Sequence, residues 1–288
     1  ITVRFLPPFF DYKFLIRYYV TEKVDEIDQI QHPSVRECLK FMDFQQGIEM
    51  VHTGDIPAMS GIGSSSSFTV GFLNALYALR GEMPTKRTLA FKAIYVEQNL
   101  IGENVGSQDQ TAAAFGGFNK IEFGRGDEIF VQPIIITGDK IKYLQDCLLF
   151  CFVGLGRLSS EIAEEQIKKI PDKLKELGIM REMVDESVNI LNGKIESLND
   201  FGKLLHESWA LKRGLTSLIS TNEIDDIYET ARRAGALGGK LLGAGGGGFF
   251  LFFVPPESRA KVEEVLKKLL VVPFRFDTLG SHVAFYSE

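Results

Sequence analysis

The stretch DIPAMSGIGSSSSFTVGFLNALYAL, residues 55–79, passes from a proline through two closely spaced glycines and four serines into a periodic apolar run. Phe68, Phe72, Ala75, Leu76 and Leu79 recur at helical spacing, so the pattern predicts a helix that begins inside the serine run. Gly81 is placed to end it. A glycine-serine loop feeding a buried helix leaves several backbone N–H groups pointing forward with no acceptor, and that end carries partial positive charge. Such an end suits a phosphate group. Gly61 and Gly63 let backbone approach a bulky anion, and the serine hydroxyls can cap the helix, hold a phosphate oxygen or help bind a metal. The alternative is a capped core helix after a flexible turn, since serine is a common N-cap. The loop is not of Walker type, because no Lys-Ser/Thr pair follows the glycines.

Around this stretch the chain reads as a folded α+β protein. Its 288 residues suit one large domain or two modest ones. Hydrophobic residues make up 45% and charged residues 24%, as in globular proteins. The 28 glycines exceed the roughly 20 expected at average usage. A net charge of −6 argues against an extended nucleic-acid surface. No run is long enough to span a membrane, and no signal peptide is visible. Cys38, Cys147 and Cys151 have no zinc-type spacing, and so small and odd a count fits a reducing, cytoplasmic compartment. The chain starts at Ile1, inside an expected strand, so residues are expected before it.

In chain order, residues 1–5, 12–20 and 48–53 read as strands, and residues 34–42 as a short helix capped by Ser34. A helix over residues 85–100 carries a stripe of Leu89, Ala93, Val96 and Leu100, with Glu97 at its edge. Glu97 is either a surface carboxylate or one held rigid at the margin of the core. Asp109 falls near the start of a short helix, where the dipole keeps it ionised, as a structural cap or as a working acid-base group. Residues 118–123, 129–136 and 148–153 are strand-like. Residues 157–191 are charged and helical, interrupted at Pro171 and Gly178, and the change in composition places a domain boundary between residues 146 and 147. A long helix over residues 201–219 carries Lys212 and Arg213, candidates for a substrate phosphate or solvated cations, and His206 and Trp209, core or cleft-wall residues. After a helix over residues 224–236, Gly238 to Gly248 includes the run Gly245-Gly246-Gly247-Gly248, costly in entropy unless backbone must approach something closely. An apolar strand follows at 249–254. A helix over 256–270 and strands over 272–276 and 282–286 close an antiparallel, helix-covered second domain.

Pro57-Ala58-Met59-Ser60-Gly61-Ile62-Gly63-Ser64-Ser65-Ser66 resembles the phosphate loop of the GHMP kinases, Pro-x-x-x-Gly-Leu-Gly-Ser-Ser-Ala, with Ile62 for Leu and Ser66 for Ala. Gly106-Ser107-Gln108-Asp109-Gln110 resembles their segment bearing the catalytic aspartate, in the variant found in heptose-phosphate kinases. Lys240-Leu241-Leu242-Gly243-Ala244-Gly245-Gly246-Gly247-Gly248 resembles their third motif, with Leu242 for Thr, and the block from Leu205 to Arg213 also resembles the heptose-phosphate kinases. The family's N-terminal motif has no match between Ile1 and Tyr19. The resemblance implies a two-domain α+β GHMP kinase fold: a mixed sheet with helices over residues 1–146, and an antiparallel sheet covered by helices over residues 147–288. ATP and acceptor bind in the family's cleft between the lobes. It implies that Pro57 and Gly61 to Ser66 hold ATP, that Ser65 and Glu97 hold Mg²⁺, and that Asp109 is the general base. Gly245, Gly246 and Gly247, with Lys212 and Arg213, then face the substrate. The implied reaction is phosphorylation of the anomeric hydroxyl of a sugar phosphate of the D-glycero-D-manno-heptose 7-phosphate type, giving a 1,7-bisphosphate. Other acceptors such as fucose or mevalonate, or a non-catalytic sensor of nucleotide or sugar, are the alternatives. Partners are small molecules, with neither nucleic acid nor membrane, and a homodimer stays open.

Overall fold

Short runs of β-favouring residues separated by Pro and Gly build the first sheet. β1 (Thr2–Phe5), β2 (Phe14–Arg17), β3 (Thr21–Val24) and β4 (Ile48–Val51) lie in the order β1-β4-β2-β3. β4 runs antiparallel to β1 and parallel to β2, so the sheet is mixed, as expected. The segment read as one strand over 12–20 is the first half of a hairpin: the chain turns at Tyr18, whose N–H donates to Val20 O at 2.9 Å, and returns as β3. The computed structural model describes residues 1–57, 60–126, 128–154 and 159–287. Ala58 and Met59 of the loop motif, and the expected start of the charged helix at Arg157, lie outside them.

α1 (Pro33–Phe41) starts with Pro at its first position and is capped by His32 Nδ1, which accepts from Val35 N–H; Ser34 is buried and is not the cap. α2 (Ser64–Leu79) begins inside the serine run. It ends where Gly81 turns left-handed, with Gly81 N–H on Ala78 O and Glu82 N–H on Tyr77 O. α3 (Lys86–Tyr95) is capped by Thr85 and passes directly into a π-helical turn, Val96–Ile101. α4 (Gln108–Phe115) follows. Phe68, Phe72, Leu73, Leu76, Leu89, Ala93 and Val96 form one core with Ile16, Ile48 and Met50 of the sheet.

The second sheet is antiparallel. β5 (Asn119–Phe123) pairs with β6 (Ile129–Pro133) as a separate hairpin. α5 (Gly138–Cys147) leads into β7 (Leu148–Gly154). This helix was not expected, although Ile141, Leu144 and Cys147 do recur at helical spacing. α6 (Ser159–Lys169) and α7 (Leu174–Asn192) are separated at Pro171 as expected, while Gly178 lies inside α7 without breaking it. α8 (Leu198–Arg213) starts earlier than its apolar pattern predicts, and it stops earlier because Gly214 caps it. α9 (Asn222–Ala234), β8 (Gly238–Leu241), β9 (Gly248–Phe253), α10 (Arg259–Val265) and β10 (Leu270–Val271) complete the order β10-β7-β9-β8. Trp209 is 1% exposed in a core with Tyr228, Phe250 and Phe252, and His206 Nδ1 lies 2.6 Å from Tyr228 Oη, so both sequence candidates on α8 serve this packing.

The strands expected over 272–276 and 282–286 are absent; the tail beyond β10 forms turns and extended chain. The chain divides into one unit of Ile1–Ala58, Gly63–Gly117 and Asp277–Glu288 and another of Met59–Ile62 and Phe118–Phe276. One boundary between the two units lies between Gly117 and Phe118. The β5–β6 hairpin precedes the composition change but packs with the second unit: Phe118, Ile134 and Ile136 lie against Leu144, Leu148 and Phe253. The tail returns to the first unit through Gly117 N–H to Asp277 O and Ser281 N–H to Ala113 O. Among the described residues no helix is long and apolar enough to cross a membrane, and all three cysteines are free and buried.

Candidate functional site

β4 delivers the chain to the loop, and the loop delivers it to α2. Gly63 is the N-cap, left-handed at φ 70°, and no side chain caps the helix. The first intrahelical bond is Ser67 N–H to Gly63 O at 2.9 Å, so the amides of Ser64, Ser65 and Ser66 have no intrahelical acceptor. A sixteen-residue helix with an open first turn retains its positive end. Of the serines, Ser66 is buried and Ser65 exposed.

Two acidic side chains meet this helix start. Asp109, in the first turn of α4, lies against Gly63: a Cβ built there would come within 2.7 Å of Asp109 Cγ and 2.8 Å of Oδ2. Asp109 is open to solvent on one side, yet neighbouring protein desolvates the carboxyl and raises its pKa. Desolvation thus outweighs the helix dipole, which alone would lower it. The second is Glu97. The π turn carries it to full burial, at 0% exposure, instead of the edge of an α-helical stripe. Ser66 Oγ donates to Glu97 Oε2 at 2.7 Å, and Gln110 Nε2 donates to the same oxygen. The serine that touches Glu97 is therefore Ser66, not Ser65; neighbouring helical residues point about 100° apart, so only one of the two can face the core.

Among the described residues Glu97 Oε1 and Gln110 Oε1 are buried without hydrogen-bond partners. A divalent cation such as Mg²⁺ takes few protein oxygens and completes its shell with water and phosphate, so this donor set fits one. No cluster of three or more His, Cys, Asp or Glu able to hold a metal exists among the described residues. Gln110 was not a sequence candidate. Its signal was the position next to Asp109, which turns it toward the core.

Apart from Pro57, the remaining predicted residues lie in the second unit. Ser60 to Ile62 pack on the glycine turn between β8 and β9: Gly61 faces Gly247 O and Leu242 O, and Gly248 faces Ser60. Gly245, Gly246 and Gly247 all have positive φ, and Gly246 N–H donates to Ile219 O at 2.8 Å. Lys212 is 8% exposed, and its Nζ donates to Leu241 O at 3.0 Å and Gly243 O at 2.5 Å. Burial, then the charge of Lys240, lowers its pKa to about 7. Arg213 instead pairs with Asp225 at 3.0 Å. Both cations are thus committed to protein groups. Pro57 is exposed at the loop entrance.

The family model for the GHMP kinase N-terminal domain matches residues 33–117, and that for the GHMP kinase C-terminal domain matches residues 188–271, together more than half of the chain. The chain belongs to the GHMP kinase family. Among curated relatives it is 32% identical over 199 residues to D-glycero-alpha-D-manno-heptose 7-phosphate kinase of Campylobacter jejuni, covering 68% of this chain and 58% of that protein. It is 27% identical to mevalonate kinase of Pyrococcus horikoshii, covering 79% and 66%. The chain thus spans only 58% of the length of the first of these relatives. Among solved structures, a D-glycero-D-manno-heptose 1-phosphate kinase from Bacteroides thetaiotaomicron superposes with a TM-score of 0.74 at 23% identity, over 99% of this chain and 87% of that one. This likeness shows the fold.

Proposed function

We propose that this GHMP kinase transfers the γ-phosphoryl group of ATP to the anomeric hydroxyl of a phosphorylated sugar of the D-glycero-D-manno-heptose 7-phosphate type, giving the 1,7-bisphosphate. The observation that carries this reading is the uncapped start of α2, with Asp109 seated on Gly63 and Glu97 bonded to Ser66. The free amides of Ser64 to Ser66 bind phosphate oxygens, with Gly61, Ile62 and Gly63 leading backbone to them. Asp109 accepts the proton of the acceptor hydroxyl as its oxygen bonds to the γ-phosphorus and the bond to the ADP oxygen breaks. Desolvation favours this role, because a carboxylate of raised pKa is the better base. Glu97, with Ser66 bonded to it, would hold Mg²⁺, in place of the expected pairing with Ser65. When bound, that ion offsets charge on the β- and γ-oxygens. Positioning and electrostatic stabilisation then supply most of the rate. Gly245 to Gly247 are assigned to the substrate in this reading. Free buried cysteines suit a cytoplasmic site of action. Mevalonate is the second acceptor reading, favoured by the likeness to the Pyrococcus protein.

ADP release with Mg·ATP and a panel of phosphorylated sugars, fucose and mevalonate tests the reading. Turnover with a heptose 7-phosphate is expected. Asp109→Asn is expected to lose turnover while still binding ATP, and the parent rate should fall at low pH with a midpoint above the ordinary carboxylate value. Equal rates for Asp109→Asn and parent would remove the base assignment. ATP binding without turnover on any acceptor would favour a sensor.

A further inference from the structure

Among the described residues Lys212 is a buried cation with no carboxylate partner, and such a group is costly to keep. The charge that bears on it is that of Lys240 on β8, whose Nζ lies 3.2 Å from Ser208 Oγ, one turn earlier on α8. If packing were the only need, an apolar side chain of the same length would fill the space. Its ammonium instead donates to two backbone carbonyls, Leu241 O at the end of β8 and Gly243 O in the turn. The β8–β9 ladder closes just there, with Leu241 opposite Phe250 and Leu242 N–H on Phe249 O at 2.8 Å.

That turn is a seat for the loop. Gly243 is left-handed at φ 64°, and a Cβ on it would lie 3.0 Å from Gly61 C and 3.1 Å from Gly61 Cα. A Cβ on Gly248 would lie 3.1 Å from Ser60 C. Two backbones packed with no side chain between them cannot shift independently. We propose that Lys212 is a positioning residue: it fixes the glycine turn Leu241–Gly248 and, through Gly243, the Ser60–Ile62 arm of the phosphate loop, and it is not a ligand for a substrate phosphate. Only the final effect on nucleotide rests on the kinase reading.

Two measurements on the full chain separate the two claims. In hydrogen exchange without ligand, Lys212→Met is expected to speed exchange at the amides of residues 60–62 and 243–248 several-fold, with the β7–β9 ladder unchanged; unchanged loop amides would overturn the proposal whatever the protein catalyses. In steady-state kinetics, Lys212→Met and Gly243→Ala are each expected to raise the KM for ATP about tenfold, with the KM for the sugar phosphate within twofold of the parent. The double variant should be no worse than the worse single one. Lys212→Gln, a neutral donor, should recover part of the loss. A raised sugar-phosphate KM with unchanged ATP KM in Lys212→Met would make Lys212 a substrate ligand and overturn the proposal. A parent that does not bind ATP would sink the kinase reading and leave the exchange result standing.

Discussion

Gly63→Ala tests whether Asp109 is held by the loop, and Gly81→Ala supplies its control. Both glycines are left-handed, at φ 70° and 69°, so alanine meets the same backbone strain at each, about 1–2 kcal/mol. At Gly81 an added Cβ has nothing within 4 Å. At Gly63 it falls 2.7 Å from Asp109 Cγ and 3.0 Å from Asp109 Cβ, where ordinary contact begins at 3.4 Å. The carboxyl must therefore retreat by about 0.7 Å or rotate away, a displacement of the size that costs on the order of 10²-fold in rate. The two variants should lose similar stability, read as similar shifts in melting temperature. Only Gly63→Ala should lose kcat, by about 10²-fold, approaching Asp109→Asn. Combined with Asp109→Asn, it should add little. The assay is ADP release at saturating Mg·ATP alongside thermal unfolding. If Gly63→Ala keeps parental kcat at the stability of Gly81→Ala, Asp109 is not the group whose placement matters.

Glu97→Gln is expected to raise the Mg²⁺ concentration needed both for turnover and for binding of a fluorescent ATP analogue; an unchanged Mg²⁺ titration would remove Glu97 from the metal site. The depressed pKa of Lys212, about 7, has a consequence for stability. The unfolded chain keeps that proton to near pH 10, so between pH 7 and 10 it binds more protons than the fold and stability rises with pH. From pH 7 to 8.5 the gain is about 1.5 kcal/mol, and Lys212→Met should lose it. Urea unfolding read through Trp209, the single tryptophan, reports on the unit that contains Lys212. Above that window Cys147 and Cys151, raised to about 11 and 12 by burial, act in the opposite direction.

Local chemistry made much of this legible. The start of α2 in the serine run and its end at Gly81, the α3 stripe and the apolar β9 all follow from spacing and from glycine's access to positive φ. What the sequence hid was decided by tertiary contact. β8 is half glycine and carries no strand signal; it is a strand because β9 offers it a ladder and α8 covers it. The tail at 282–286 has strand-like residues but no partner strand. The π turn has no marker of its own in Val96–Ile101, so an ideal helix placed Glu97 at the margin, where the structure buries it. Lys212 and Arg213 look alike as neighbouring helix cations, yet one ends on carbonyls and the other on Asp225.

The candidate groups share a physical property: each lacks the partner that stability alone would select. α2 has no side-chain cap, although serine, the residue suited to capping, occupies its first four positions. Glu97 has a buried oxygen with no donor among the described residues. Lys212 has no acid. Gly61 and Gly63 are equivalent in the motif, yet an added Cβ on Gly61 would make ordinary contact with the glycine turn, 3.6 Å from Gly247 O, while one on Gly63 would strike the Asp109 carboxyl. Local rules would have removed each of these costs. That is why filling a vacancy, as in Gly63→Ala, discriminates function from packing more sharply than deleting a side chain does.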